Sequence, residues 1–206
     1  DCAVALAEHL CGSEEAFVKR MNQRAAELGM TATHFENTNG LDDTAQNHVT
    51  SAGDIAIMSR ELIKHTEILE FSSTWMDTIR NGEFGLSNTN KMVRFYNGCT
   101  GLKTGFTRGA GYCLSASAER EGLQLIAVVM GCETSQKRFA ACKSMLDYGF
   151  ANFALIEPEY PEMSAVPVKL GVSDSVNAVP ASDGKMLIDK GQKSSVTTEV
   201  QLEQDV

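Results

Sequence analysis

Two strand-like runs with a short polar gap between them constrain the fold of this 206-residue chain most strongly. Tyr112 to Ala118 and Leu123 to Met130 flank Glu119-Arg120-Glu121-Gly122, a pattern that predicts a β-hairpin. Helical spacing dominates residues 3 to 90, and a further helix is predicted from about Ser135 to Tyr148. Helices segregated from an antiparallel sheet are typical of the α+β class.

The tripeptide Lys103-Thr104-Gly105 lies just before this hairpin and has the composition of a substrate-binding strand. Lys103 supplies a positive charge, and Thr104 supplies a directional hydroxyl donor. Gly105 has no side chain, so that another backbone can approach the strand closely. Together the three residues are suited to binding an anionic peptide end. Considered one by one, each also has an ordinary structural interpretation: a solvated lysine, a threonine with high β-propensity and a turn glycine.

Charge and cysteine usage exclude several classes of partner. The net charge of −9 argues against non-specific binding to nucleic acid or to an anionic membrane surface, since both need a basic face. The longest apolar run, Leu125 to Met130, is too short to span a bilayer. The six cysteines form no Cys-x-x-Cys pair and the four histidines are scattered, so neither a metal site nor a cofactor is expected.

Capping residues predict where helices begin and end. Ser13 and Ser51 are suited to the N-caps of two helices, and Thr134 is suited to cap the helix from about Ser135. Gly29 stands where a glycine often ends a helix.

A change of composition near Glu157-Pro158-Glu159-Tyr160-Pro161 predicts a domain boundary. We expect residues 1–156 to belong to one domain and residues 157–206 to begin a small β-rich domain. Four short apolar runs predict its strands: Val166 to Leu170, Val176 to Ala178, Met186 to Ile188 and Val196 to Leu202.

Taken in order, many segments resemble the serine D-alanyl-D-alanine carboxypeptidases, the low-molecular-weight penicillin-binding proteins. The similarity covers residues 1 to 150 almost continuously, and the tail after Pro158 resembles the start of the family's β-rich C-terminal domain. It implies a penicillin-binding/β-lactamase-like transpeptidase fold, with a helical subdomain and an antiparallel sheet. The matching segments are residues 1–9, 12–18, 28–30, 33–35, 39–42, 50–54, 88–91, 101–107 and 125–131.

The family uses three motifs, and only the third is found here. A Ser-x-x-Lys supplies the acylated serine and its lysine base, a Ser-x-Asn loop assists proton transfer, and the Lys-Thr-Gly strand forms the opposite wall. By the family pattern, we expect the chain to begin one residue after the second motif. Ser182-Asp183-Gly184-Lys185 and Ser175-Val176-Asn177 fit the missing motifs literally. Both lie in the β-rich tail, where Asp-Gly indicates a turn, so they are interpreted as chance matches.

The resemblance implies a role for each of five residues. Lys103 would be catalytic, in the proton and electrostatic network around the serine. Thr104 would donate to the substrate carboxylate or backbone, Gly105 would allow close approach, and the Phe106 N–H would be one oxyanion donor. Arg138 aligns with an arginine that helps to bind the terminal carboxylate, although such a residue is also commonly an exposed surface charge.

The implied activity is removal of the terminal D-alanine from peptidoglycan pentapeptides ending in D-Ala-D-Ala, through an acyl-enzyme. β-Lactams would acylate the same serine. The parent protein would act outside the cytoplasm, in the cell envelope, secreted or held by a C-terminal anchor not contained in this chain. Because the serine and its lysine are missing, the chain alone is expected to be inactive.

Two other functions fit the same residues. A non-catalytic module of this fold would bind peptidoglycan peptide or a protein partner through the Lys103 strand, and a β-lactamase is a third alternative. An upstream Ser-x-x-Lys would favour the carboxypeptidase over the binding module. In the family, the N-terminal segment contributes strands and the serine helix, so we expect an unpaired sheet edge and an uncovered apolar face here.

Overall fold

A computed structural model describes residues 2–42, 45–160, 163 and 165–201. The helices are α1 (Cys2–Cys11), α2 (Glu14–Glu27), α3 (Ala52–Leu62), α4 (Glu67–Ser72), α5 (Met92–Phe95) and α6 (Ser135–Asn152). The strands are β1 (Met76–Ile79), β2 (Phe84–Ser87), β3 (Cys99–Thr107), β4 (Gly111–Arg120), β5 (Leu123–Cys132), β6 (Phe153–Ile156), β7 (Val166–Pro167), β8 (Ser175–Val176) and β9 (Met186–Asp189). Two compact units result: residues 1–120 with 124–147, and residues 121–123 with 148–206.

Side-chain caps begin the helices where the sequence predicts them. The hydroxyls of Ser13, Ser51 and Thr134 each accept a hydrogen bond from the backbone N–H three residues later, at 3.1 Å in every case. Gly29 follows α2 with φ +76°, a conformation that glycine adopts without strain. These predictions are confirmed, although α6 continues to Asn152 instead of ending near Tyr148.

The central sheet of the first unit has the strand order β3-β4-β5. β3 and β4 are antiparallel, with Thr104 opposite Leu114. β4 and β5 are joined at Glu121-Gly122, whose φ angles of +52° and +75° are those of a type I′ hairpin turn. The predicted hairpin and the mixed helix-and-sheet class are therefore confirmed.

β4 forms the core of this sheet, with Leu114 to Ala118 all buried. Helix α3 packs against β4, where the hydroxyls of Ser59 and Ser115 form a buried hydrogen bond at 2.8 Å. On α6, Cys142 is fully buried, and its Sγ lies 3.7 Å from the Ala127 carbonyl of β5. Helices α4 and α5 contact β3. The site strand β3 thus pairs with a buried neighbour, β4, and is contacted by α4 and α5.

The second unit contains two small antiparallel pairs, β6 with β9 and β7 with β8. Strands are confirmed at Met186 and Val176, but β7 ends at Pro167, three residues before Leu170, which has φ +62°. The strand predicted from Val196 is wrong across the described residues 196–201, where no strand forms. Leu202 lies outside the described residues. The predicted boundary between residues 156 and 157 stays a prediction.

Candidate active site

The Lys-Thr-Gly segment occupies the middle of β3, and strand alternation divides its side chains between two faces. Thr104 lies opposite Leu114 and Phe106 opposite Tyr112, so these side chains share one face of the sheet. The rings of Phe106 and Tyr112 contact each other, with centroids 4.3 Å apart. Lys103 lies on the other face. The hydroxyl and the cation therefore leave β3 on opposite faces, and because β3 is an edge strand of its sheet, a ligand lying along that edge can reach both.

Thr104 is held by the segment that precedes α5. Only 8% of Thr104 is exposed, and its Oγ1 lies 2.7 Å from Thr89 Oγ1. Next to Thr89, the buried side chain of Asn90 donates from Nδ2 to the Gly101 carbonyl at 3.0 Å. A hydroxyl can donate one hydrogen bond and accept others. When Thr89 donates, Thr104 keeps its own O–H for a bound ligand.

Gly105 and Lys103 are both accessible to a ligand. A Cβ built on Gly105 would make only an ordinary contact with Cys113, at 3.7 Å, so the described neighbours do not require glycine there. Lys103 is exposed, and its Nζ donates to the Thr104 carbonyl at 2.6 Å. Within the described ranges it forms no ion pair. Its charge is therefore available to an anion.

Arg138 reaches the same strand from α6. Its Nη1 donates to the carbonyls of Gly105 and Cys113, at 3.0 and 3.2 Å. The guanidinium lies 5.4 Å from the ring centroid of Tyr112 and 4.8 Å from that of Phe139. These contacts fix the plane of the guanidinium beside β3.

This arginine is not the exposed surface charge that the sequence left open, since only 6% of it is accessible. Its Nε is buried and has no hydrogen-bond partner in the described part of the chain, and no carboxylate there lies within 4 Å. A buried cation without an anion is costly. The arrangement is thus suited to a carboxylate supplied by a ligand.

The segments that build the site carry no acidic residue. Residues 84–118 contain no Asp or Glu, and neither do residues 135–146, although the whole chain has net charge −9. The cations in these two segments are Lys91, Arg94, Lys103, Arg108, Lys137, Arg138 and Lys143. A segment rich in cations and free of acids favours an anionic ligand. This acid-free pattern is visible in the sequence alone, beside the Lys-Thr-Gly motif.

Tyr96 connects α5 to α6 behind the site. Its hydroxyl donates to Asp147 Oδ1 at 2.8 Å. Burial, reinforced by this hydrogen bond, raises the pKa of Tyr96 to about 12. The phenol therefore stays protonated as a donor at every physiological pH.

Among the residues that the structure describes, no group of three or more His, Cys, Asp or Glu side chains is arranged to hold a metal ion. None of the helices formed by these residues has the length and apolar character needed to cross a membrane.

The family model described as D-alanyl-D-alanine carboxypeptidase, peptidase family S11, matches residues 1–134. The chain belongs to this family. It is 38% identical to the D-alanyl-D-alanine carboxypeptidase DacF of Bacillus subtilis, over all of this chain and 54% of that protein. The chain thus spans about half the length of this relative.

Solved structures confirm the predicted fold. Penicillin-binding protein 5 from Haemophilus influenzae matches 93% of this chain and 56% of its own, with 35% identity and a TM-score of 0.73. Penicillin-binding protein D2 from Listeria monocytogenes, in its cefotaxime-bound form, matches 73% and 60%, with 38% identity and a TM-score of 0.67. The resemblance to penicillin-binding proteins inferred from the sequence is therefore confirmed.

Proposed function

We propose that this chain forms the carboxylate-binding wall of a serine D-Ala-D-Ala carboxypeptidase that trims peptidoglycan peptides. Arg138 carries the proposal, because it is a buried cation beside the Lys-Thr-Gly strand with no anion among the described residues. Family membership supports the reaction class. The parent protein would act outside the cytoplasm, in the cell envelope, on pentapeptides ending in D-Ala-D-Ala.

Each residue of the wall would act on a different part of the substrate. The terminal carboxylate would accept from the Thr104 hydroxyl and the Arg138 guanidinium, and the peptide would lie against the exposed backbone at Gly105. The N–H of Phe106 would donate to the oxyanion that forms at the penultimate carbonyl. Lys103 would stabilise negative charge and assist proton transfer at the attacking serine.

The reaction would proceed through an acyl-enzyme. The serine oxygen would bond to the penultimate carbonyl carbon, and the peptide C–N bond would break as D-alanine leaves with a proton on its nitrogen. Water would then hydrolyse the ester and restore the serine. The same serine would attack the amide carbonyl of a β-lactam and open its ring, which leaves the serine acylated.

This chain alone is expected not to be acylated. Its one Ser-x-x-Lys, Ser182 to Lys185, is not helical, and Lys185 forms an ion pair with Asp183 at 2.9 Å. Its one Ser-x-Asn begins in β8. A fluorescent penicillin should therefore leave the isolated chain unlabelled. Covalent labelling that unlabelled penicillin competes away would contradict this.

Binding of the substrate end tests the wall itself. N-acetyl-D-Ala-D-Ala should bind the isolated chain at least about tenfold more tightly than its C-terminal amide, because a hydrogen bond to a charged group is worth roughly 1.5–3 kcal/mol. Calorimetric titration measures both ligands under one condition. Equal affinity for the acid and the amide would overturn the proposal.

A further inference from the structure

A pocket lies between α5 and α6, beside the proposed carboxylate-binding residues, which are called the carboxylate wall below. The wall consists of Lys103, Thr104, Gly105, Phe106 and Arg138. Its volume is about 280 Å³, and it is bounded by Lys91, Phe95 and Tyr96 on one side and by Phe139 and Lys143 on the other. The segments that line it are those that hold the site strand. Thr89, which contacts Thr104, lies two residues before the lining residue Lys91. Arg138 directly precedes the lining residue Phe139.

The pocket combines two cations that have no anionic partner in the described ranges. Lys91 and Lys143 are exposed, and neither ammonium group forms an ion pair or hydrogen bond there. The nearest carboxylate along α6 is Asp147, which accepts the hydrogen bond from Tyr96. Because no described carboxylate pairs with either lysine, the pocket favours a negatively charged occupant.

The remaining wall is aromatic and incompletely covered. Phe95 is 77% exposed, although its ring contacts Trp75 edge to face, with centroids 6.1 Å apart. Tyr96 and Phe139 contribute two more rings to the lining. Exposed aromatic surface in a concave site gains free energy when an apolar group covers it.

We propose that this pocket binds a carboxylate attached to an apolar body, such as an N-acylated amino acid or a short peptide. The carboxylate lies between Lys91 and Lys143, and the apolar side chain covers Phe95 and Phe139. The inference does not depend on the proposed carboxypeptidase function, because it uses neither Lys103 nor Thr104.

Trp75 gives a direct readout, because it is the single tryptophan in the chain and touches the Phe95 ring. N-acetyl-phenylalanine should change its fluorescence with a dissociation constant on the order of 1 mM, as expected for a ligand of that size. The uncharged N-acetyl-phenylalanine amide should bind about fivefold or more weakly, and acetate should give no signal. Equal binding of the acid and the amide would overturn the proposal, as would a response to acetate.

Matched lysine variants locate the carboxylate. Lys91→Gln and Lys143→Gln should each weaken binding of N-acetyl-phenylalanine by about two- to fivefold. Lys137→Gln is the control, because Lys137 lies on the same helix but pairs with Glu133. Unchanged affinity in both pocket variants, or an equal loss in the Lys137 control, would reject the site.

A final pair of variants separates this pocket from the carboxylate wall. Phe95→Ala should weaken N-acetyl-phenylalanine binding, measured by calorimetry because Trp75 loses its ring contact, whereas Lys103→Gln should leave this binding unchanged. If Lys103→Gln removes binding, the ligand occupies the wall and the α5–α6 pocket is disproved. If Lys103→Gln weakens only D-Ala-D-Ala peptide binding, the two sites are independent.

Discussion

The carboxylate wall and the α5–α6 pocket lie side by side in the first unit but hold their cations in opposite ways. Arg138 is buried, and two backbone carbonyls fix its guanidinium. Lys91 and Lys143 are exposed, and no described side chain holds them. The proposed wall would therefore be preorganised for one carboxylate orientation, whereas the proposed pocket would have to order its lysines when a ligand binds.

Because Arg138 is buried and the two lysines are exposed, substitutions at these positions should affect ligand affinity and folding stability differently. A planar guanidinium offers several donors in a fixed arrangement, and its loss removes both native hydrogen bonds and ligand contacts. A flexible lysine loses side-chain entropy on binding, so its contribution is smaller and more sensitive to salt. Substitutions of the buried wall residues Thr104 and Arg138 should thus change both stability and binding, whereas substitutions of exposed lysines should change binding alone.

The largest effect is expected at Arg138. Arg138→Met should weaken N-acetyl-D-Ala-D-Ala binding by about tenfold or more, because the carboxylate loses a charge-assisted donor. Arg138→Lys should not restore it, since an ammonium group cannot bond two carbonyls and a carboxylate in the same plane. Calorimetric titration of the three proteins measures this. Full affinity in Arg138→Lys would show that the planar geometry of the guanidinium is not required for binding.

A smaller effect, on the free energy of unfolding, is expected when the hydrogen bond between the Thr89 and Thr104 hydroxyls is removed. Thr104→Val keeps the branched shape but loses the bond to Thr89, and should lower the free energy of unfolding by about 1 kcal/mol. Thr89→Val should cost a similar amount. In a double-mutant cycle the two losses should overlap by about 0.5–1.5 kcal/mol. Denaturant titration measures each value, and strictly additive losses would show that the two hydroxyls do not interact.

Within the wall, a substitution of Lys103 should change ligand affinity but not the free energy of unfolding. Because its side chain is exposed, Lys103→Gln should change the free energy of unfolding by no more than about 0.5 kcal/mol. The same change should weaken D-Ala-D-Ala peptide binding by about two- to fivefold. Denaturant titration and calorimetry on one preparation compare both quantities. A large stability loss without a binding loss would assign Lys103 a structural role.

The last effect, a pH dependence at Tyr96, is confined to alkaline pH and absent near neutrality. Its folded pKa of about 12 exceeds the usual value of 10.0, so the unfolded chain releases this proton first. Folding is therefore progressively destabilised as the pH rises from about 10 to 12. Tyr96→Phe should show a shallower loss of stability over that range, and thermal melts of both proteins measure it. Parallel loss in the two proteins would argue against the Tyr96 contribution.

Local chemistry made much of the fold predictable. Ser13 and Ser51 cap helices because a hydroxyl satisfies a backbone N–H wherever the sequence places it. The β4–β5 hairpin follows from alternation and a glycine-containing turn. The strand predicted from Val196 is absent from residues 196–201, which follow a 3₁₀ helix at Lys190–Ser195 whose N-cap Asp189 accepts from the Gly191 N–H. Apolar alternation alone does not provide a partner strand.

The sequence indicates candidate site residues only where a motif lies within one strand. Lys103 and Thr104 are adjacent in the sequence, so a local pattern marks both as candidates. The sequence gives no role to Thr89, because its contact with Thr104 depends on how α5 packs against β3. The burial of Arg138 likewise depends on the placement of α6 over the sheet. Contacts between distant segments are set by tertiary packing, which local patterns do not specify.

The most direct test is a site-resolved NMR titration of the isotopically labelled chain with N-acetyl-D-Ala-D-Ala and its amide. The acid should shift the backbone amide signals of Gly105 and Phe106 and the side-chain Nε–H signal of Arg138, and the amide should not. The Arg138→Met protein should lose the Gly105 and Phe106 shifts. Shifts that are absent, equal for both ligands or confined to other residues would contradict a carboxylate-binding wall on β3.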